Sequence, residues 1–209
     1  MKSISHELRC LQPSEAKEFT QAQRRDIAAL IYQTDPYIYP AMFRSQENAE
    51  RLIPELMLRG DAMFCAENLF VCMAGETVAG IILWHQGPMD WDPALFEECA
   101  SALGIKQSPY LALVKDQYFS AYSEAPEDWI SILNVCTKAE FRDYGVGSCL
   151  LRSFFEAHRD CRQFELFVLA DNQRAIHVYQ KYGFSTAERL QGFSIDNRDL
   201  PCLRMVKTI

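Results

Sequence analysis

A turn that contains two glycines, Arg142-Asp143-Tyr144-Gly145-Val146-Gly147-Ser148, joins a predicted strand to a predicted helix. Glycine lets the backbone approach a ligand closely and adopt positive φ angles. The N–H groups of such a turn point into one concavity, and the following helix adds its free N–H groups and positive dipole end. The turn therefore favours a pyrophosphate, although a glycine turn that only connects two elements has the same composition.

Two common nucleotide-binding motifs fail at this turn. A dinucleotide-binding fingerprint requires a third glycine at position 150, which is Leu150. A P-loop requires a lysine between glycine and serine, and Gly147-Ser148 has none. The turn also follows at least three predicted strands, so a nucleotide-binding fold is disfavoured.

A second segment, Asp171 to Phe184, carries Asn172 and Ala175, then Tyr179, then Gly183-Phe184. Taken with Arg142-x-x-Gly145-x-Gly147, it resembles the GNAT superfamily of N-acetyltransferases. The resemblance covers residues 130–184 well, and the order of the flanking elements more loosely. Two linked motifs in the right order are far more specific than either one alone.

The resemblance implies an α/β fold with a mixed, twisted sheet of about seven strands and helices on both faces. It also implies that acetyl-CoA is the cosubstrate, with its pyrophosphate on the backbone N–H groups of 142–147. The pantetheine arm is expected between the strands at 130–137 and 165–170. The expected cofactor-binding residues are Val135, Thr137, Arg142, Asp143, Tyr144, Gly145, Val146, Gly147, Ser148 and Asn172.

The resemblance places Tyr179 beside the sulfur, as the catalytic residue. An amine attacks the thioester carbonyl, and the departing thiolate needs a proton. A phenol, with a pKa of about 10, stays protonated at neutral pH and can donate. Packing in the last helix is the alternative for Tyr179, and the stronger alternative for Tyr182. Cys136 and Cys149 could form an acyl-enzyme, but both fit packing better, so direct transfer is expected.

The general base is open, because the strand at 130–137 contains no carboxylate. Ser131 and Asn134 could hold a relay water. The remaining candidates, for each of which a structural or solvent-exposed role is the alternative, are His85, Glu124, Glu127 and Asp128. His158 and His177 are expected to be plain surface residues.

Two positions depart from the family pattern. Ala139 stands where the family often has proline, and Asp143 stands where it often has glycine. A carboxylate near a diphosphate repels it, so the Asp143 side chain is expected to point into solvent. Neither change blocks binding by backbone N–H groups.

Hydrophobic periodicity and turn residues predict the order β-α-α-β-β-(insertion)-β-α-β-α-β-β. The first helix is expected to be capped by Ser14 and to end at 34–36, and the second to be kinked or divided by Pro54 and stopped by Gly60. A single domain over 1–209 is expected, with an irregular insertion at about 87–128. The expected strands are 8–12, 68–74, 77–85, 130–137, 165–170, 186–195 and 201–207, and the expected helices are 14–33, 46–59, 146–159 and 173–182.

Composition disfavours several classes of protein for this chain. The 209 residues are 49% hydrophobic and carry a net charge of −7. The sequence contains no stripe of basic residues, so nucleic acid is not expected as a partner. No apolar run suits a membrane-spanning helix, and residues 1–7 lack the apolar core of a secretory signal. The eight cysteines form no C-x-x-C pair, so reduced core cysteines in a cytoplasmic protein are expected, with no metal site.

The insertion concentrates acidic and aromatic residues, which suit a cationic amine. Its eight acids against two lysines give six net negative charges, most of the chain's −7. We expect the insertion, with helices 14–33 and 46–59, to wall an acceptor pocket; a solvated helical excursion is the alternative. The acids are Asp90, Asp92, Glu97, Glu98, Asp116, Glu124, Glu127 and Asp128.

The resulting hypothesis is an acetyl-CoA-dependent N-acetyltransferase that acts on a primary amine, either a small molecule or a peptide. A non-catalytic module that binds CoA is the alternative, because the strand carboxylate is missing. The identity of the acceptor is left open, and so is a homodimer.

Overall fold

The chain forms seven strands and eight α-helices in the computed structural model, which describes residues 8–11, 19–89, 91 and 93–209. The strands are β1 (Leu8–Leu11), β2 (Leu69–Ala74), β3 (Thr77–Gln86), β4 (Trp129–Thr137), β5 (Gln163–Leu169), β6 (Ser185–Ile195) and β7 (Arg198–Thr208). The helices are α1 (Gln21–Tyr32), α2 (Ile38–Phe43), α3 (Gln46–Arg59), α4 (Pro93–Ala102), α5 (Leu111–Val114), α6 (Ser120–Ser123), α7 (Val146–Ala157) and α8 (Gln173–Lys181).

All seven strands lie in one mixed sheet in the order β1-β2-β3-β4-β5-β7-β6. Neighbouring strands are antiparallel except β4 and β5, which are parallel and connected through α7. One face of the sheet packs against α1 to α3 and the insertion, and the other packs against α7 and α8. The predicted mixed sheet with helices on both faces is confirmed.

Local sequence explains where the first helices begin and end. Thr20 caps α1 through a reciprocal pair of bonds with Gln23, whereas the predicted cap Ser14 lies outside the described residues. Gly60 ends α3 with a φ of 72°, as expected. The predicted division at Pro54 is wrong, because α3 runs unbroken from Gln46 to Arg59 and buries Pro54 against the core.

Two helical segments were missed where the chain contains turn-forming residues. The Asp35 carboxylate accepts bonds from the N–H groups of Tyr37 and Ile38 at 2.7 Å, and α2 begins there after the expected break at 34–36. The insertion is largely helical rather than irregular, with α4, α5, a π-helical turn at Lys115–Phe119, and α6. Its short helices pack aromatic rings inward, such as Trp91 on Phe119 at 4.8 Å.

His158 is not a plain surface residue as expected. Its ring lies 4.5 Å from the Trp84 ring and 4.4 Å from the Phe154 ring, and Nδ1 is 2.8 Å from the Phe154 carbonyl oxygen. Burial lowers the pKa of His158. The expectation for His177 agrees with its exposed position on α8. None of the described helices has the length and hydropathy of a membrane span.

Helix α7 approaches the sheet closely at Gly80 in β3. A Cβ there would lie 2.7 Å from the Cys136 carbonyl oxygen and 2.9 Å from side-chain atoms of Val146 and Leu150. Because the backbone of β4 cannot move away easily, Gly80→Ala is predicted to lower the free energy of unfolding by about 1–3 kcal/mol. Urea unfolding monitored by circular dichroism measures this.

Gly147→Ala is the matched control for that experiment. Its added Cβ meets only the Thr137 hydroxyl, at 3.5 Å, so its stability should equal or slightly exceed that of the parent chain. An unchanged unfolding midpoint in Gly80→Ala would contradict the close contact between α7 and the sheet.

Candidate functional site

The site begins where β4 and β5 separate. The two strands pair only from Trp129 with Gln163 to Ile132 with Leu166. Beyond that point β4 stays paired with β3 as far as Thr137, and β5 stays paired with β7 as far as Leu169. The facing edges of β4 and β5 therefore carry backbone donors and acceptors that do not pair with each other, and a ligand can reach them.

A buried carboxylate holds the closed end of this separation. Glu165 of β5 accepts a bond from the Ser131 hydroxyl of β4 at 2.9 Å. Its other oxygen accepts from Nε and Nη2 of Arg204 in β7 at 2.9 and 2.8 Å. Ser131 donates its hydroxyl to Glu165 and is only 1% exposed. It therefore does not hold a relay water, which was one of the alternatives for the general base.

A cavity of about 450 Å³ occupies the open end. It extends from the parted strands to the turn before α7 and along one side of α8. Its lining residues are Gln33, Thr34, Val135, Cys136, Thr137, Phe141, Arg142, Asp143, Gly145, Val146, Gly147, Ser148, Leu151, Asn172, Arg174, Ala175, Val178, Tyr179 and Tyr182. Nine of the ten expected cofactor-binding residues are among them, and Tyr144 is the exception.

The turn offers fewer N–H groups than the sequence predicted. The N–H of Arg142 donates to the Ala139 carbonyl, and that of Tyr144 donates to the Phe141 carbonyl. Contrary to the prediction, these two N–H groups are therefore not available to bind a pyrophosphate. The first backbone bond within α7 is donated by Cys149 to Gly145. The N–H groups at the start of α7, from Val146 to Ser148, are left to bind an anion.

Asp143 and Gly145 both have positive φ angles, 68° and 87°. Aspartate tolerates this conformation better than most side chains, which explains how it can replace the usual glycine. Asp143 is exposed, in line with the expectation that its carboxylate points to solvent. The backbone curvature of the turn is thus kept without a glycine at 143.

Asn172 and Tyr179 reach the cavity from the start and the last turns of α8. The Asn172 side chain caps the helix, since its Oδ1 accepts a bond from the Ala175 N–H at 3.1 Å. Its Nδ2 donor is the part left for a ligand. Tyr179 packs against Phe184, with ring centroids 5.9 Å apart. Burial, and to a lesser degree the nearby Cys136 thiol, raise the pKa of Tyr179 to about 12.

The alternatives for a general base lie outside this lining. Asn134 is buried and bonds to the hydroxyls of Tyr39 and Thr34, both at 2.7 Å. His85 bonds to the Gly87 carbonyl at 3.2 Å. Glu124, Glu127 and Asp128 are exposed. The cavity lining contains one carboxylate, Asp143, so no base is brought to the position of Tyr179.

The end of α1 contributes Gln33 and Thr34 to the cavity, which the sequence did not predict. The sequence indicated only that the first helix ends at residues 34–36. Nothing in that segment indicates that these residues face β4. Residues 46–59 and the described part of 87–128 contribute nothing to this lining. The insertion instead contacts the β6–β7 hairpin, where Tyr110 bonds to Asp196 and Tyr118 meets Phe193 edge-to-face, with ring centroids 5.7 Å apart.

The fit of the cavity to CoA rests on these backbone features. A long, thin arm can lie along the unpaired edge of β4, and a diphosphate can meet the N–H groups that start α7. Gly147 faces open space, with only the Thr137 hydroxyl within 4 Å of an added Cβ. The residues present are therefore compatible with a phosphopantetheine ligand.

One family model matches part of the chain. The family model described as Acetyltransferase (GNAT) domain matches residues 110–186, which include β4, α7, β5 and α8. No curated protein sequence matches the chain significantly.

Solved structures show the same fold at low identity. An N-acetyltransferase from Staphylococcus aureus Mu50 is 19% identical, with a TM-score of 0.59 over 90% of this chain and 96% of that one. Arabidopsis thaliana Naa50 in complex with the bisubstrate analogue CoA-Ac-MVNAL is 15% identical, with a TM-score of 0.55 over 97% and 99%. A spermidine N-acetyltransferase SpeG chimera from Vibrio cholerae and hSSAT is 16% identical, with a TM-score of 0.56 over 96% and 95%.

Gly147→Ala tests the assignment of the diphosphate position. The added methyl group has room in the fold but occupies the side of the turn where a phosphate would approach the N–H groups. Titration calorimetry should give CoA affinity about tenfold weaker, or ~1.4 kcal/mol. Unchanged affinity in the folded variant would place the diphosphate elsewhere.

Proposed function

We propose that this chain is a GNAT acetyltransferase and that it transfers an acetyl group from acetyl-CoA directly to a primary amine. The observation that carries the proposal is the cavity between the parted ends of β4 and β5. It joins the N–H groups at the start of α7 to Tyr179. We further propose that residues 1–209 form one domain, of which 87–128 is an insertion.

In this proposal acetyl-CoA lies along β4. The N–H groups of 146–148 and the backbone curved by Asp143 and Gly145 bind its diphosphate, and the Arg142 guanidinium adds a positive charge. The pantetheine amides bond to the unpaired edge of β4 near Val135 and Thr137, like an added strand. The Nδ2 of Asn172 donates to the arm or to a water that bridges to it.

The acetyl group then lies near Tyr179. The amine nitrogen bonds to the thioester carbonyl carbon, the carbon–sulfur bond breaks, and its electron pair stays on sulfur. A pKa of about 12 keeps Tyr179 protonated at neutral pH. A thiol has a pKa of about 8.5, so complete proton transfer from Tyr179 to the thiolate is uphill. Tyr179 therefore acts chiefly by donating a hydrogen bond to the developing thiolate, and the proton lost by the amine neutralises the sulfur in the end.

The amine must arrive in its neutral form, and the cavity lining provides no carboxylate beside Tyr179 to deprotonate it. Solvent water accepts the first proton. Turnover of an amine should consequently rise with pH as more of the free base is present.

We propose that the acceptor is cationic in solution and approaches from the side of the insertion. The acids Asp116, Glu124, Glu127 and Asp128 are exposed, and the insertion contacts the β6–β7 hairpin through Tyr110 and Tyr118. Negative charge there attracts a protonated amine and raises its local concentration. Among the similar structures, one is named for spermidine acetylation and another is bound to a peptide-containing analogue, so both acceptor classes are tested below.

Tyr179→Phe tests the role of the phenol. Removing the hydroxyl leaves the packing on Phe184 intact, so affinity for acetyl-CoA should change little, while kcat falls by more than about tenfold. The measurement is CoA release under saturating acetyl-CoA, with cofactor affinity from calorimetry.

Tyr182→Phe is the matched control, because Tyr182 also lines the cavity but packs on Phe155 at the end of α8. Equal rates for Tyr179→Phe and the parent would show that the phenol is not used.

If the parent binds acetyl-CoA and acetylates nothing in a broad amine panel, the chain is a non-catalytic CoA-binding module and not an enzyme.

Neutralising the exposed acids of the insertion tests the cationic acceptor. The variant combines Asp116→Asn, Glu124→Gln, Glu127→Gln and Asp128→Asn. Its kcat/KM should fall by roughly tenfold for polyamines and basic peptides, and less at high salt, with little change for uncharged amines.

A control variant of equal charge change combines Glu47→Gln, Glu55→Gln, Glu76→Gln and Glu188→Gln, all exposed and outside the cavity lining. The same preference for cationic acceptors in both variants would contradict a role for the insertion.

A further inference from the structure

Three cysteines that are far apart in the sequence meet at the β1 edge of the sheet. Cys10 lies in β1, Cys72 in β2 and Cys149 in the first turns of α7. Their sulfur atoms all lie within 4.8 Å of one another, and those of Cys10 and Cys149 are 3.4 Å apart. We call these three residues the thiol cluster. In the described ranges no other group of three potential metal ligands lies this close.

The fold forms this cluster through two separate packings. The β1–β2 register places Cys10 directly opposite Cys72. The sheet-facing side of α7 then brings Cys149 down on the pair, next to the buried Leu150. Cys72 is fully buried, while Cys10 and Cys149 are half-buried. The positions are thus fixed by the sheet and by a helix, not by a flexible loop.

We propose that the thiol cluster binds a thiophilic metal ion, with zinc as the probe, through the three cysteine sulfurs. Zinc–sulfur bonds of about 2.3 Å in tetrahedral geometry place the sulfurs about 3.8 Å apart. The observed sulfur separations, from 3.4 Å to at most 4.8 Å, bracket that value. Small side-chain rotations are enough to form the site.

The charge of an occupied site is compatible with its surroundings. Metal binding displaces the thiol protons, so three thiolates and a divalent ion leave one net negative charge. Arg152 lines the same surface cavity as Cys10, so its positive charge is next to the site.

Solvent can reach the cluster through a shallow surface cavity lined by Cys10, Phe70, Arg152, Ser153, Glu156 and Ala157. Three protein ligands with an open fourth position make a recognised arrangement for zinc, in which water completes the tetrahedron. The cavity supplies both the entry path and the space for that water.

A metal ion here would tie the first turns of α7 to the edge strands. Cys149 follows Ser148, the last residue of the turn that borders the cofactor cavity. The inference is nevertheless independent of the proposed acetyl transfer, because it concerns the opposite side of α7 and is tested without CoA. It departs from the expectation, drawn from cysteine spacing, that the chain has no metal site.

The experiment uses the full chain, kept reduced with a phosphine and stripped of metal. Titration with Co²⁺ should give sulfur-to-cobalt charge-transfer absorbance that saturates at one ion per chain, and Zn²⁺ should displace it. Zn²⁺ should also raise the melting temperature and protect the Cys10 thiol from alkylation, as read by mass spectrometry.

Cys10→Ser and Cys149→Ser should both lose the absorbance and the zinc-dependent rise in melting temperature. Cys65→Ser, which removes a half-buried cysteine outside the cluster, should keep both. Circular dichroism establishes whether each variant is folded. If a variant does not fold, the zinc-dependent protection of Cys10 from alkylation in the parent chain still tests metal binding at the cluster.

Three results would overturn the inference. The first is the absence of charge-transfer absorbance, and the second is its persistence in both cluster variants. The third is a reduced chain that binds no metal but forms a Cys10–Cys149 disulfide on mild oxidation, which would make the close sulfur pair a redox couple.

Discussion

The fold around the site depends on one buried carboxylate. Glu165 joins three strands, because it bonds to Ser131 in β4 and to Arg204 in β7 while belonging to β5. A carboxylate that is 1% exposed is stable only when its partners satisfy it, so the strands must stay together at this point. Immediately beyond it β4 and β5 part. The position of Glu165 therefore sets where the parallel pairing ends and where the cavity begins.

The cavity and the elements around it follow from the separation of β4 and β5. The strand β4 keeps β3 as its partner and β5 keeps β7, so each retains one hydrogen-bonded edge. Beyond Ile132 and Leu166 the other edge of each strand is free. The turn from Arg142 to Ser148 then delivers the start of α7 to the mouth of the gap, and α8 places Tyr179 on its far side. The opposite side of α7 is occupied by the thiol cluster. One helix thus connects the proposed cofactor site to the proposed metal site.

Local sequence signals were sufficient for most of this arrangement. The glycine turn, the strand at 165–170 and the helix at 173–182 are each encoded within a few residues, and the structure places them close to where the sequence predicts them. The role of Asn172 as the cap of α8 was not predicted. The resemblance of residues 130–184 was sufficient for the order of β4, α7, β5 and α8. The end of α3 at Gly60 was also predictable, because a positive φ angle restricts which residues can occupy that position.

The remainder depends on contacts between distant residues. The helices α5 and α6 have four residues each, too few for a periodic pattern, and the aromatic contacts of the insertion hold them in place. No local signal shows that Thr34 faces β4 through Asn134, or that Ser131 is bonded to Glu165. The cysteines at 10, 72 and 149 have no motif spacing at all, and only the sheet register and the packing of α7 bring them together.

Hydrogen–deuterium exchange with and without CoA tests the central claim most directly. If the parted strands and the following turn hold the cofactor, CoA should slow exchange in residues 133–137 and 146–148, which include the N–H groups left unpaired along the edge of β4 and at the start of α7. Exchange in β2 and in α3 should not change. Protection confined to other segments, or none at saturating CoA, would contradict the account.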